Sequence, residues 1–545
     1  MSARFLSLLV PTGLLAILLG ALLGSGCSRP TSSGETLIYA QASDPKTLDP
    51  VNTDIAESVH VITNVFDTLV TYDDLKAELV PSLAEKWTVS EDGKVWTFTL
   101  RDGVLFHDGT KLDSAAVKTT FDRLIADKHP LLYDSARPYQ SSYTAIERIE
   151  TPDPLTVVFH LKSPSAIFLT NLAMFPASIV SPAALKAKGK EFADSPVGTG
   201  PFKVIKWNRD QQLVLQSFDK HWRGAPEIKN LVIVPVKDNT TRIQRLLRGE
   251  VHLVDSLAPQ DFDAVKKTPL VVLEQTGMNV SYLTMQMEKP PLNLLKVRQA
   301  IGLAIDKKTL MKVGFDGHAE PAVSMVPPGM WGHDTSLVDH EFNVAKAKQL
   351  MQEAADEAGF KLPVSLNLSV MSQARPYLPQ PTSMAGFLKD SLREIGIEVT
   401  VTGRDVNEHF AHLMAGRHEL GLAGWSSDNA DPDNFLYQLL DPDNISENGN
   451  NLSRFRDQRF HELLLAGQTE MDLAKRLPLY HEAQAIVLRE VPVVPLAHTQ
   501  LRAVHDPRLT GFNLHPTGLI RLGKVKLKSQ PENTASKTTA PGAAQ

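Results

Sequence analysis

The chain has 545 residues, of which 42% are hydrophobic and 22% are charged, so it is long enough to bury the cores of several domains. Its formal net charge is −6, which excludes the strongly basic surface that a nucleic-acid-binding protein presents. The chain contains a single cysteine, Cys27, which excludes an intramolecular disulfide and a cysteine-rich metal site.

The N-terminal residues predict export. Arg4 precedes an apolar run from Phe5 to Gly24, and small residues then lead to Cys27, which is the order of a secretory signal. The lone Cys27 resembles the lipidated cysteine of a bacterial lipobox, so we assign residues 1–26 to a signal peptide and 27–35 to a polar tether. An uncleaved transmembrane anchor and ordinary secretion are the alternatives. All three place the bulk of the chain outside the cytoplasm.

Strand and helix patterns alternate along the chain from Thr36 onwards. Thr36–Tyr39 predicts a short strand, and Trp87–Leu100 has the alternation of a half-buried hairpin. Asp113 or Ser114 can cap the helix that follows. Further strands are predicted around Leu213, at 231–236 and at Ile397–Val401, and further helices at Val297–Ile305, Val344–Ala355 and Met384–Ile395. This interleaving is typical of a mixed α/β protein.

Several motifs, in consistent order, resemble the extracellular solute-binding proteins of family 5. These are the receptors of ABC importers for dipeptides, oligopeptides, nickel and haem. The resemblance extends from about Thr36 to about Lys526. It is carried by Pro81–Trp87, Ser90–Lys94, Gly198–Phe202, Val297–Ala300 and Asn343–Lys348.

Two further segments, Gln373–Pro379 and Gly424–Phe435, are most similar to the dipeptide-binding members of the family. The resemblance implies that Arg375 pairs with the α-carboxylate of a peptide and that Asp428 pairs with its α-amino group. These pairings suit the chemistry, because a guanidinium binds a carboxylate in a bidentate manner and a carboxylate binds an ammonium.

The same two segments supply the other expected ligand-binding residues, which are Tyr377, Gly424 and Trp425. The two aromatic side chains are expected to form walls of the pockets for the peptide's side chains. The dipeptide-binding members have a disulfide downstream, whereas Asp441–Arg454 contains no cysteine here. We therefore expect this loop to lack one brace while the charged pair is retained.

The resemblance implies an α/β, two-lobed periplasmic-binding-protein fold with an extra subdomain inserted in the first lobe. The core of the first lobe is expected from residues 36–66, 194–275 and 492–526. The inserted subdomain is expected at 67–193, the second lobe at 276–491 and a disordered tail at 527–545.

The function implied is a lipid-anchored extracytoplasmic receptor that captures dipeptides or short peptides and delivers them to the permease of an inner-membrane ABC importer. We expect a monomer with no cofactor, no metal and no nucleic-acid partner. Haem, nickel or an oligopeptide remain alternative cargoes, because one fold serves several ligands. A secreted peptide hydrolase is the alternative from another class, although the sequence has no HExxH, P-loop or GxSxG motif.

Overall fold

The structure is a computed structural model that describes residues 35–134, 136–447 and 449–529. The assigned signal peptide, Cys27, most of the tether and the tail beyond residue 529 lie outside the described residues. Within the described ranges, the helices are too short or too polar to cross a membrane.

Strands and helices alternate along the described chain. The strands are β1 (Thr36–Gln41), β2 (Val70–Tyr72), β3 (Leu79–Pro81), β4 (Ala84–Val89), β5 (Val95–Leu100), β6 (Ile146–Asp153), β7 (Thr156–Leu161), β8 (Phe202–Asn208), β9 (Gln212–Ser217), β10 (Asn230–Pro235), β11 (Leu253–Asp255), β12 (Val271–Thr276), β13 (Asn279–Met285), β14 (Ala319–Pro321), β15 (Val364–Met371), β16 (Ile397–Arg404), β17 (Leu420–Ser426), β18 (Val493–His505), β19 (Leu509–Thr510) and β20 (Lys526–Leu527). The helices are α1 (Ala56–Val65), α2 (Ser114–Ile125), α3 (Phe168–Asn171), α4 (Pro182–Lys188), α5 (Asn239–Leu247), α6 (Phe262–Val265), α7 (Leu295–Leu303), α8 (Lys307–Phe315), α9 (Val344–Ala358), α10 (Pro381–Arg393), α11 (Val406–Met414), α12 (Asp433–Leu440), α13 (Gln458–Thr469) and α14 (Leu473–Glu490).

Local sequence signals explain several of these elements, and the predictions of the hairpin and of the cap of α2 are confirmed. The hairpin β4–β5 is antiparallel, with Trp87 opposite Phe98, and β5 alternates buried and half-buried residues. Asp113 caps α2 by accepting a hydrogen bond from the backbone N–H of Ala116. Helix α9 ends at Gly359, which adopts a left-handed conformation with φ 72°.

A 12-stranded mixed sheet organises the molecule, in the order β16-β15-β17-β13-β18-β11-β1-β10-β9-β8, with β12 and β14 also paired to β18. We call the part built around β1 and β8–β12 the first half and the part built around β13–β17 the second half. Strand β18 belongs to both, because its beginning pairs with β13 and its end pairs with β11 and β12. The mixed α/β class predicted from the sequence is confirmed.

A separate four-stranded antiparallel sheet, β4-β5-β7-β6, lies on the first half. Its buried residues, such as Phe98 and Phe159, share one hydrophobic core with Tyr39 of β1 and Leu215 of β9. The second half has its own cores, one of which includes Leu368 of β15. Strand β18 joins the two halves, direct hydrogen bonds between them add to this connection, and a cavity lies between them.

In both halves, the carboxyl ends of parallel strands face this cavity. In the first half β1 runs parallel to β11, and in the second half β15 runs parallel to β17. The carboxyl ends of parallel strands are where α/β sheets place their ligands. Residues that follow these strands line the cavity on both sides.

Candidate functional site

The cavity between the halves has a volume of about 1290 Å³ and is lined by residues of both. The sequence-predicted ligand residues from the second half all line it. They are Arg375, Tyr377, Gly424, Trp425 and Asp428. The structure thus brings together residues that the sequence separates into two segments.

Arg375 lies in a tight turn after β15, where its backbone N–H and C=O both bond to Leu378, at 3.0 and 2.9 Å. Its side chain is 19% exposed, and Nη1 donates to Oε1 of Glu57 at 3.2 Å. Glu57 is buried in the first turn of α1, in the first half. The guanidinium therefore crosses the cavity to a carboxylate of the opposite half.

Asp428 follows β17 and also bonds across the cavity, because its Oδ2 accepts a hydrogen bond from the hydroxyl of Tyr139 at 2.7 Å. Burial raises the pKa of Asp428 to about 7; the Tyr139 hydrogen bond acts in the opposite direction and the charge of Asp54 adds to the rise. A carboxyl in this state favours a cation beside it, since a positive charge stabilises its ionised form.

Asn434 links the aromatic and the acidic residues of this loop. Its Oδ1 accepts hydrogen bonds from Nε1 of Trp425, at 2.9 Å, and from the backbone N–H of Asp428, at 3.2 Å. Asn434 is buried near the start of α12. One amide oxygen therefore fixes the indole relative to the carboxylate.

Gly424 acts through its lack of a side chain. A Cβ at this position would lie 2.1 Å from Cδ2 of Tyr377, which is far inside van der Waals contact. The ring of Tyr377 therefore lies directly against the backbone of β17. This packing ties the Arg375 turn to the strand that carries the Asp428 loop.

A buried ion pair supports the Asp428 loop from behind. Arg476 of α14 donates from both terminal nitrogens to the two carboxylate oxygens of Asp431, each at 3.1 Å. Tyr480 accepts a further hydrogen bond from the same guanidinium at 2.9 Å. The segment after β17 is therefore anchored to α14.

The segment 441–454, for which the sequence predicts a missing disulfide brace, is held by hydrogen bonds. Nδ2 of Asn451 donates to the backbone carbonyls of Leu440, Asp441 and Phe455 at 2.9–3.0 Å. His461 bonds to the carboxylate of Asp441 at 3.0 Å. Amide and imidazole hydrogen bonds thus brace the described part of this loop.

Sequence reasoning missed Glu57, Tyr139 and Asn434. Asn434 lies within the motif that contains Asp428, so its position so close to Asp428 was a usable signal. Glu57 was visible as a carboxylate in a mostly apolar helical stretch. Tyr139 gave no signal, because it contacts Asp428 from 289 residues away.

Comparisons with known proteins give matches over most of the chain. The model of the family described as bacterial extracellular solute-binding proteins, family 5 Middle, matches residues 78–447. Di/tripeptide-binding protein 1 of Pseudomonas aeruginosa is 31% identical over 542 residues, which cover 94% of this chain and 99% of that protein.

Two solved structures have similar folds. The dipeptide-binding protein of Pseudoalteromonas sp. SM9913 in complex with Met-Leu gives a TM-score of 0.84 at 29% identity, covering 90% of this chain and 100% of that one. The ABC transporter-associated periplasmic binding protein DppA of Helicobacter pylori, in complex with the peptide STSA, gives a TM-score of 0.83 at 30% identity, covering 90% and 98%.

Proposed function

Because the chain belongs to family 5 of the bacterial extracellular solute-binding proteins, we propose that it captures dipeptides and other short peptides in the cavity between its halves. One observation carries the proposal. Arg375 and Asp428, of opposite charge, follow neighbouring parallel strands and line the same cavity. A zwitterionic peptide presents the complementary charges at its two ends.

The constant ends of a peptide are what a receptor for many sequences has to recognise. On binding, the α-carboxylate takes the place of Glu57 on Arg375, and the α-ammonium joins Tyr139 at Asp428. Each charge-assisted hydrogen bond contributes about 1.5–3 kcal/mol net. The two ends together account for a large share of a micromolar affinity, which corresponds to about −8 kcal/mol.

The distance between the two charges limits peptide length. Each added residue moves the terminal carboxylate by roughly 3.3–3.6 Å. One relative is named for di- and tripeptides, and another was solved with the four-residue peptide STSA. These relatives favour a cargo of two to four residues. Trp425 and Tyr377 form walls for the guest's side chains, while Gly424 keeps Tyr377 in place.

We further propose that the protein acts by binding and delivers its cargo to the permease of an ABC importer. The names of the family and of its relatives support both points. Lipidation at Cys27 would then tether a monomeric receptor to the membrane outside the cytoplasm. Mass spectrometry of the mature N-terminus tests this anchor, since a diacylated cysteine adds the mass of its lipids.

Calorimetry with end-blocked peptides tests the cargo. We expect Ala-Ala to bind, N-acetyl-Ala-Ala to lose the contact with Asp428, and Ala-Ala-amide to lose the contact with Arg375. Each blocked form should bind weaker by about 2–5 kcal/mol. Native mass spectrometry of protein purified from its host identifies the cargo independently. Retention of haem or nickel, together with equal affinity for blocked and free peptides, would contradict the proposal.

A further inference from the structure

The first half contributes two acidic residues to the cavity wall, opposite Arg375, and a buried glutamine adjoins them. Strand β1 ends at Gln41, the neighbouring parallel strand β11 ends at Asp255, and α1 places Glu57 against them. Nε2 of Gln41 donates to the backbone carbonyl of Glu57 at 3.4 Å. We call Gln41, Glu57 and Asp255 the acidic floor.

Each residue of the acidic floor carries a buried acceptor that has no hydrogen-bond partner among residues 35–134, 136–447 and 449–529. These atoms are Oε1 of Gln41, Oε2 of Glu57 and Oδ1 of Asp255. The residues are 0%, 3% and 7% exposed, and both acids line the cavity. Buried acceptors are nearly always paired in proteins, and an unpaired one costs about 1–3 kcal/mol. The acceptors of Glu57 and Asp255 belong to cavity-lining residues, so a group rich in N–H donors that enters the cavity could pair with them.

The cations near the acidic floor are engaged elsewhere or stand off from it. Arg242 donates to the backbone carbonyl of Val236 at 2.7 Å and to the side chain of Asn239 at 2.8 Å, while its buried Nε has no hydrogen-bond partner among the described residues. His60 lies 2.9 Å from the hydroxyl of Tyr39 and 3.9 Å from Oδ2 of Asp255. Neither reaches the unpaired acceptors within hydrogen-bond distance.

Local conformation and electrostatics agree with a ligand contact at Asp255. Ser256, the next residue, also lines the cavity and has a left-handed backbone conformation with φ 57°, which is strained for serine. Burial raises the pKa of Asp255; the nearby His60 and Arg242 counteract the rise, and Glu57 adds to it. A cation placed here would relieve the repulsion between the two acids.

Peptide binding increases the uncompensated negative charge at the acidic floor. When a peptide carboxylate takes Arg375, Glu57 loses its ion-pair partner while it remains buried beside Asp255. Removing one partner of a buried pair is strongly destabilising, because the remaining charge is uncompensated. A peptide with a cationic C-terminal residue supplies a carboxylate to Arg375 and a positive charge to Glu57. A peptide with a neutral C-terminal side chain supplies only the carboxylate.

We propose that the acidic floor is a subsite for a cationic side chain, so that the protein prefers short peptides with lysine or arginine at the C-terminus. This preference rests on the proposed peptide function. It assigns to Glu57 and Asp255 the role of determining cargo, in addition to the recognition of peptide ends by Arg375 and Asp428.

The test compares Ala-Lys with Ala-norleucine, which has an unbranched side chain of similar length without the charge. By calorimetry we expect the wild type to bind Ala-Lys at least tenfold more tightly. In Glu57→Gln and in Asp255→Asn the ratio of the two affinities should fall towards one. The ratio is the readout, because Glu57→Gln also frees Arg375 and so changes the affinity for both peptides.

Asp74→Asn is the matched control. It removes one negative charge from the same cavity, at a residue that pairs with Arg521 and Lys524, and it should keep the wild-type ratio. Equal affinities of the wild type for the two peptides would overturn the subsite and leave the peptide function standing. A ratio that persists in both floor variants would also overturn it. If no dipeptide binds, the proposed function fails together with the subsite. The wild-type comparison needs no variant to fold.

Discussion

Acidification from about pH 7 to about pH 5 should weaken dipeptide binding by protonating Asp428. The pKa of Asp428 is about 7 in the unliganded protein, chiefly because of burial. Below that pH the carboxyl becomes neutral and cannot pair with the peptide's ammonium, whose pKa of about 7.7–8.0 keeps it charged throughout. The ionised fraction falls from about one half to about one hundredth, so the affinity should drop on the order of 50-fold, or about 2.3 kcal/mol.

Calorimetry with Ala-Ala at several pH values between these limits measures the effect. Near pH 6, buffers with different ionisation enthalpies should report the release of about one proton per peptide bound. The pH dependence of folding stability that Asp428 contributes has the opposite sign to the pH dependence of binding. Because its folded pKa exceeds the unfolded value of about 3.9, its ionisation destabilises the fold as the pH rises towards 7. Loss of binding at pH 5 therefore does not reflect unfolding driven by Asp428.

Two variants separate Asp428 from other titrating groups. Asp428→Asn should bind weakly and with little pH dependence over this range. Tyr139→Phe removes the hydrogen bond that lowers the pKa of Asp428, so the midpoint of the affinity curve should move above the wild-type value. The reasoning is refuted if the wild-type affinity changes less than twofold between pH 5 and pH 7, or if Asp428→Asn shows the same slope.

Three further substitutions test the site and its support. Arg375→Ala should weaken dipeptide binding by about 2–5 kcal/mol in calorimetry while the protein stays folded by circular dichroism; unchanged affinity would contradict the role of this guanidinium. Gly424→Ala should lower affinity at least tenfold by displacing Tyr377, whereas Gly403→Ala, which has open space at Cβ, should not. Asp431→Asn should lower the free energy of unfolding in urea by about 3–5 kcal/mol, because a buried guanidinium loses its bidentate partner; an unchanged denaturation midpoint would show that the pair is dispensable.

The sequence was sufficient for features that depend on local pattern. Apolar alternation predicted the Trp87–Leu100 hairpin, and a capping aspartate predicted the start of α2, because such signals act over a few residues. The motifs predicted the family and the two-lobed fold, which the comparisons confirm. The lobe boundaries and the roles of the site residues stay predictions.

The contacts across the cavity were beyond local patterns. Glu57 meets Arg375 over 318 residues of chain, and such a pairing depends on which strands are neighbours in the sheet. The position of β18 between β13 and β11 decides that order, and nothing in the composition of β18 specifies it. Asn434 is the opposite case, since its bond to Asp428 spans six residues.

Strand β18 limits how the empty and occupied forms can differ. Its 13 residues pair with the second half at one end and with the first half at the other. Sliding the halves apart would break backbone hydrogen bonds along the strand, whereas rotation about its middle, near Thr499, can keep them and has to overcome the direct contacts between the halves, such as that of Tyr72 with Asn429. The angle between the halves can therefore change while their spacing at β18 stays constant. A guest of a different size would change this angle, and a partner that contacts the outer rims of both halves would bind each angle with a different affinity.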